Sequence, residues 1–118
     1  MKKKVLVIED DQAIVEVVNI ILENEGYEVA SVTHINNIDT LIQETSPHLI
    51  LLDIWLGGHD GGALAKQLKS SHETKHIPIV IMSASNETKE IARKAGVDGV
   101  LLKPFTIDDL LAIVQQNT

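Results

Sequence analysis

Four apolar runs in this chain each stop at residues able to do chemistry. Val5–Ile8 leads into Glu9, Asp10 and Asp11, and Leu49–Leu52 leads into Asp53. Ile79–Met82 ends at Ser83, and Val100–Leu102 ends at Lys103 and Pro104. Short, unbroken runs of β-branched residues and Leu between helical patterns read as buried parallel strands. In a doubly wound sheet, ligands bind just beyond the strands' carboxyl ends. Glu9, Asp10, Asp53, Ser83 and Lys103 are therefore expected at one spot. Gathering carboxylates in a cleft is electrostatically unfavourable unless a cation is bound. Oxygen ligands without a thiol suit Mg²⁺, which takes one or two carboxylates and keeps several waters. Such an ion beside a carboxylate oxygen and a lysine is equipment for phosphoryl transfer, where catalysis is mostly positioning and charge neutralisation. Aspartate can itself be the nucleophile, forming an aspartyl phosphate. Lys103 would then hold one phosphoryl oxygen and the Ser83 hydroxyl another. Each residue alone has a plainer use. Acids are favoured at a helix start, a lone lysine is usually solvated, and a lone serine often belongs to a turn. The coincidence of four strand ends in one chain outweighs those uses.

Strand and helix patterns alternate five times to position these residues. Ile14, Val17, Val18, Ile21 and Leu22 fall on one helical face, with Asp11 placed to cap it and Gly26 to end it. Residues 27–32 are more polar and alternating, as an edge strand would be. Ile35, Ile38, Leu41 and Ile42 form a weaker second stripe, closed by Ser46-Pro47. After the third strand, residues 57–62 read as a loop, and a helix carrying Leu64, Ala65 and Leu68 follows. Pro78 opens the fourth strand. The fourth helix, around Ile91, Ala92 and Ala95 and ended by Gly96, has a thin apolar stripe and should be the least firmly anchored element. Thr106 with Asp109 makes a variant capping box for the last helix, whose buried face should be Ile107, Leu110, Leu111 and Val114. This alternation implies right-handed crossovers and a three-layer α/β sandwich. The expected architecture is a doubly wound, five-stranded parallel sheet, flavodoxin-like, in order 2-1-3-4-5 with helices on both faces. Strands one and three are then neighbours, and Asp10 faces Asp53 across the switch point.

Composition narrows the function classes. The chain has 118 residues, 44% of them apolar, with one Trp, one Tyr and one Phe, so its core must be aliphatic. The length suits one domain over 1–118, and the last stripe runs almost to the end of the sequence. A net charge of −7 argues against nucleic acid as a direct partner. Without cysteine there is no disulfide framework or thiolate metal site. Lys2, Lys3 and Lys4 precede too short an apolar run for a signal peptide, and nothing approaches the ~18 apolar residues of a membrane span. A cytoplasmic protein with no membrane partner is expected.

Some motifs carry little. His72-Glu73-Thr74-Lys75-His76 matches the zinc-protease pattern H-E-x-x-H, which requires both histidines on one face of a stable helix. Pro78 follows too closely for that. His34, His48 and His59 show no ligand spacing. Asn86-Glu87-Thr88 fits a glycosylation pattern that matters only after secretion. Neither a G-x-G-x-x-G fingerprint nor a P-loop follows the first strand. An aspartate-based phosphatase would want a second Asp two residues after the nucleophile, where Trp55 stands.

Over nearly its whole length the chain resembles the receiver domain of bacterial two-component response regulators. The likeness rests on Val7-Ile8-Glu9-Asp10-Asp11, Leu51-Leu52-Asp53, Met82-Ser83-Ala84, Gly96-Val97-Asp98 and Leu102-Lys103-Pro104-Phe105. It implies that Asp53 accepts a phosphoryl group from a sensor histidine kinase or histidine phosphotransfer protein. It also implies that Asp10 and Asp53 bind Mg²⁺ directly, that Glu9 acts through water, and that the Trp55 backbone carbonyl completes the protein ligands. Ser83 stands where the family has Thr or Ser, Lys103 is the usual lysine, and Lys103-Pro104 is expected to be cis. Such a domain is a signalling switch, not a turnover enzyme. It commonly pairs with a second copy through its fourth helix, fifth strand and fifth helix. The alternative is a phosphorylation-independent, receiver-like interaction module.

Three positions depart from the family pattern. Gly57 replaces the proline often found four residues after the phosphoacceptor, which would loosen the following loop. Val100 stands where a Tyr or Phe usually lies, so the usual coupling of hydroxyl to aromatic cannot operate and the fourth helix is expected to carry the readout. Trp55 places an indole two residues past Asp53, where it would pack at the cleft rim or shield an acyl phosphate from water.

Overall fold

The computed structural model describes residues 2–34, 36–56 and 59–118, without the side chains of residues 55, 56 and 59. In chain order the elements are β1 (Lys4–Ile8), α1 (Gln12–Asn24), β2 (Glu28–Val32), α2 (Ile38–Thr45) and β3 (Leu49–Asp53). Two short strands follow, β4 (Trp55–Leu56) and β5 (His59–Asp60), then α3 (Gly61–Ser70), β6 (Ile79–Ser83), α4 (Thr88–Ala95), β7 (Gly99–Leu102) and α5 (Ile107–Gln116). The main sheet is parallel throughout, in the order β2-β1-β3-β6-β7. Counting its strands alone, this is the expected 2-1-3-4-5. The extra strands β4 and β5 form a two-residue antiparallel ladder beyond the tip of β3.

Strand alternation explains the layers. Successive side chains of a strand point to opposite faces. Leu6, Ile8, Ile50, Leu52, Ile79 and Ile81 therefore share one core cluster with residues of α2, α3 and α4. Val5, Val7, Leu49, Leu51, Val80 and Met82 share the other with residues of α1 and α5. The inner strands β3 and β6 are buried along their length, because helices cover both faces. β2 is half-exposed, as its polar sequence requires of an edge.

Several local expectations hold. The Asp11 carboxylate accepts hydrogen bonds from the Ala13 and Ile14 N–H groups and starts α1. Gly26 and Gly96, at φ 90° and 77°, follow the ends of α1 and α4 in the left-handed region that glycine tolerates. Thr106 and Asp109 form the reciprocal capping box of α5. Lys103-Pro104 is cis.

Others need correction. Val17 was placed on the buried face of α1, yet it is 51% exposed; Val15, Val18 and Leu22 are the buried residues, so the true stripe is rotated and narrower. Ile107 is 57% exposed because it lies at the first position of α5, beyond the sheet's cover. Gly61 and Gly62 belong to the first turn of α3 instead of a loop. The Asp60 side chain caps them, accepting from the Gly62 and Ala63 N–H groups at 2.9 and 3.2 Å. Ile35 and Gly57 lie outside the described residues.

Candidate functional site

The carboxyl ends of β1, β3, β6 and β7 bring the sequence's polar residues together. β1 delivers Glu9 and Asp10 next to Asp53 because β1 and β3 are paired, with Ile8 opposite Leu52. Glu9, Asp10 and Asp53 can each present a carboxylate oxygen within 4.8 Å of the others. Lys103 enters from the end of β7 and closes the cluster. Its Nζ donates to Glu9 Oε1 at 2.8 Å and reaches Asp53 Oδ1 at 3.4 Å. Ser83 ends β6 one residue beyond Met82, the register partner of Asp53. The backbone locks this corner: the Lys103 N–H donates to the Ser83 carbonyl at 2.7 Å, and the Ile54 N–H donates to the Met82 carbonyl at 3.0 Å.

The electrostatics are those of a crowded acidic pocket. Glu9 is 1% exposed and Asp53 6% exposed. Burial pushes the Glu9 carboxyl up to about 7; neighbouring Asp53 adds to the rise and the Lys103 ammonium opposes it. Burial alone would lower Lys103, but its hydrogen bond to Glu9 and the charges of Glu9 and Asp53 outweigh that and raise it. Lysine thus stays charged, and one cation faces three carboxyl groups. Glu9 Oε2 is buried without a hydrogen-bond partner. An orphaned buried carboxylate oxygen is unfavourable unless something absent from the polypeptide satisfies it. An all-oxygen set with one unmet acceptor fits a hard divalent cation.

A close approach of backbone to backbone positions Asp53. The Gly61 N–H donates to the Ile54 carbonyl at 2.7 Å, which brings the start of α3 against the end of β3 at Asp53. A Cβ on Gly61 would lie 2.4 Å from the Asp53 carbonyl oxygen and 2.9 Å from the Ile54 Cα. Only glycine fits there.

The matches with known proteins agree with this geometry. Residues 5–115 match the family model of the response regulator receiver domain. The chain belongs to that family. It is 33% identical over 117 residues to the phosphate regulon transcriptional regulatory protein PhoB of Rhizobium meliloti (strain 1021), covering 98% of this chain and 52% of that protein. The chain thus spans about half the length of that curated relative. Among solved structures, the chemotaxis protein CheY4 of Vibrio cholerae superposes with a TM-score of 0.89 at 26% identity, covering 100% of both chains. A CheY-like receiver domain protein of Methanospirillum hungatei JF-1 gives 0.87 at 27% identity, covering 98% of this chain and 93% of that one. This is a response regulator receiver domain of the two-component type with the CheY-like fold.

Of the site residues singled out in the sequence, Glu9, Asp10, Asp53 and Lys103 form one cluster, and Ser83 adjoins it. The Trp55 backbone lies in β4, two residues past Asp53; its indole, like the His59 ring, lies outside the described side chains. Residues 71–76, containing the H-E-x-x-H match, form a turn and not a helix. Among the described residues, only Glu9, Asp10 and Asp53 group as potential metal ligands. Sequence reasoning missed Thr88. Its hydroxyl is buried at the start of α4 and donates to Ser83 Oγ at 2.5 Å. No helix among the described residues is long and apolar enough to cross a membrane.

Proposed function

We propose that this receiver domain is a phosphorylation-dependent switch of a two-component phosphorelay, with Asp53 as phosphoacceptor and Mg²⁺ as cofactor. The observation that carries this reading is Lys103 Nζ bridging Glu9 and Asp53 while Glu9 Oε2 stays unsatisfied in the same pocket. Asp10, Asp53 and the Trp55 backbone carbonyl would hold the ion, with Glu9 acting through its water. When bound, Mg²⁺ supplies positive charge against the equatorial oxygens of the transferring group.

An Asp53 carboxylate oxygen attacks phosphorus in line. The P–N bond of a donor phosphohistidine breaks as the P–O bond forms, and the imidazole leaves as the neutral base after taking up a proton. Lys103 releases its contact with Asp53 and pairs with a phosphoryl oxygen, and the Ser83 hydroxyl donates to another. Water later cleaves the acyl phosphate and restores Asp53. The domain supplies chemistry for its own modification and reversal, and is not a turnover enzyme. Its donor is a histidine kinase or phosphotransfer protein. An apolar groove of about 410 Å³ lined by Ala13, Ile14, Val17, Pro104 and Phe105 has Lys103 at its rim. An amphipathic helix of the donor fits this groove while presenting its phosphohistidine to Asp53, which accounts for the exposed Val17. A second groove, of about 420 Å³, runs across α4, β7 and α5, the face through which a second copy would pair.

Val100 in place of an aromatic favours one rival, an interaction module indifferent to phosphorylation. Trp55 is the only tryptophan and follows Asp53 by two residues, so its fluorescence separates the two readings. A stepwise response, first to Mg²⁺ and then to acetyl phosphate, with a matching phosphoryl mass gain, supports the switch. Silence in both titrations with no mass gain supports the module.

A further inference from the structure

We infer that Thr88 is a positioning residue: its hydroxyl ties the first turn of α4 to Ser83, so that engagement of Ser83 by a phosphoryl group on Asp53 is transmitted to α4. The inference deepens the switch reading and rests on it. A serine hydroxyl has one proton and two acceptor lone pairs. Both lone pairs of Ser83 Oγ are occupied: the Ser85 N–H donates to it at 3.0 Å and Thr88 Oγ1 at 2.5 Å. The Ser83 proton is thereby left for an acceptor other than these two partners. Ser83 is 3% exposed and Thr88 1% exposed, so water cannot readily replace either partner.

The anchor matters because little else holds that end of the helix. Glu87, at the N-cap position, makes no side-chain cap hydrogen bond. In the first turn, the Thr88, Lys89 and Glu90 N–H groups reach only three residues back, at 3.2, 3.3 and 3.2 Å. The Ile91 N–H meets the Glu87 carbonyl at 3.5 Å. Of the residues in α4, only Thr88, Ala92 and Ala95 are buried, and two of these are alanines. The Thr88 hydroxyl is therefore the main polar tie between the start of α4 and the sheet. The Ser83 carbonyl is itself held by the Lys103 N–H, just past the end of β7. When the Ser83 side chain turns to a phosphoryl oxygen, Thr88 must either follow, shifting α4, or lose its acceptor and loosen the first turn. This chain has Val100, without a ring or hydroxyl, at the position from which an aromatic could report the same movement. Val100 pairs in register with Ile81, two residues before Ser83.

The test compares the parent with Thr88→Val and Thr88→Ser, using acetyl phosphate with Mg²⁺. Intact mass reports phosphoryl uptake and amide hydrogen exchange reports α4. In the parent, phosphorylation should speed exchange in the first turn of α4 roughly fivefold, the change in opening that follows loss of one net hydrogen bond of about 1 kcal/mol. Thr88→Val should take up the phosphoryl group yet show fast α4 exchange in both states, and Thr88→Ser should restore the difference. A phosphorylated parent with unchanged α4 exchange overturns the coupling, as does a Thr88→Val protein with the parental response. A parent that takes up no phosphoryl group overturns the switch reading itself, and this inference with it.

Discussion

Replacing Gly61 by alanine probes how the chain positions Asp53 without touching any group that reacts. The added Cβ would meet the Asp53 carbonyl oxygen at 2.4 Å and the Ile54 Cα and carbonyl oxygen at 2.9 Å. All three are backbone atoms, so no side-chain rotation relieves the overlap. Real Cβ contacts essentially never fall below 3.0 Å, so the Asp53 carbonyl must move by at least about 0.6 Å (3.0 minus 2.4). Overpacking of this kind typically destabilises by about 1–3 kcal/mol. Alanine's better helix propensity returns less than about 1 kcal/mol, since Gly61 opens its helix and is not in the interior. The net effect is a loss of roughly 1–2 kcal/mol, visible as a lower midpoint in urea with an unchanged slope. Misplacing a reacting group by about 1 Å can slow chemistry about a hundredfold, so a shift of this size should slow phosphoryl uptake roughly tenfold. Gly62→Ala is the internal control. Its Cβ would meet Ile91 Cγ2 at 2.7 Å and the capping Asp60 Oδ1 at 3.1 Å, both side-chain atoms and neither of them backbone. That variant should lose less stability than Gly61→Ala and keep the parental uptake rate, because its overlaps are with side chains and leave the Asp53 backbone in place. If Gly61→Ala matches Gly62→Ala in stability and in uptake rate, the close approach of α3 does not position Asp53.

Three further outcomes follow from the same contacts. Glu9 binds its proton more tightly when folded, at about 7 against an ordinary 4.5. Its contribution to stability is therefore fully present below about 4.5 and lost as pH rises through about 7. Metal-free protein should lose on the order of 3 kcal/mol from this group across that window. Urea titrations of Glu9→Gln should lack that component, and saturating Mg²⁺, which binds the deprotonated form, should offset it above pH ~7. Lys69 Nζ donates to the Ile77 carbonyl at 3.1 Å and pairs with Asp98 at 3.0 Å, while the same Asp98 oxygen accepts from the Ile79 N–H at 2.9 Å. Because the Asp98 side chain is 35% exposed, Lys69→Met should cost only about 1 kcal/mol, read from the urea midpoint. Thr106→Ala removes the reciprocal cap of α5 and should cost about 1 kcal/mol, with faster amide exchange confined to the helix start.

The sheet was legible because its signal is local and strong. Unbroken apolar runs such as Leu49–Leu52 can be buried on both faces only inside a parallel sheet, and the polar β2 had to be an edge. The cluster was legible for the same reason, since each polar residue follows directly on a run. Finer placements depend on what packs from elsewhere. The α1 pattern admits two faces about one position apart, and only the covering of Val15, Val18 and Leu22 decides between them. Gly61 and Gly62 read as loop by propensity, yet both open α3, and Gly61 is needed there because the first turn abuts the Asp53 and Ile54 backbone. Thr88 could not be singled out, because a threonine at a helix start usually serves that helix. Its bond to Ser83 depends on how the short β6–α4 connection folds back, placing the first residue of α4 against the last residue of β6. The Lys69–Asp98 pair joins residues 29 apart in sequence and carries no local signature.

The central claim is that the Asp53 carboxylate takes up a phosphoryl group in the presence of a divalent cation. Intact mass of the parent and of Asp53→Asn, each incubated with acetyl phosphate with and without Mg²⁺, tests it most directly. The account predicts one Mg²⁺-dependent phosphoryl group on the parent, labile to hydroxylamine as an acyl phosphate must be, and none on Asp53→Asn. Equal uptake by the two proteins, or uptake by the parent that ignores Mg²⁺, would contradict it.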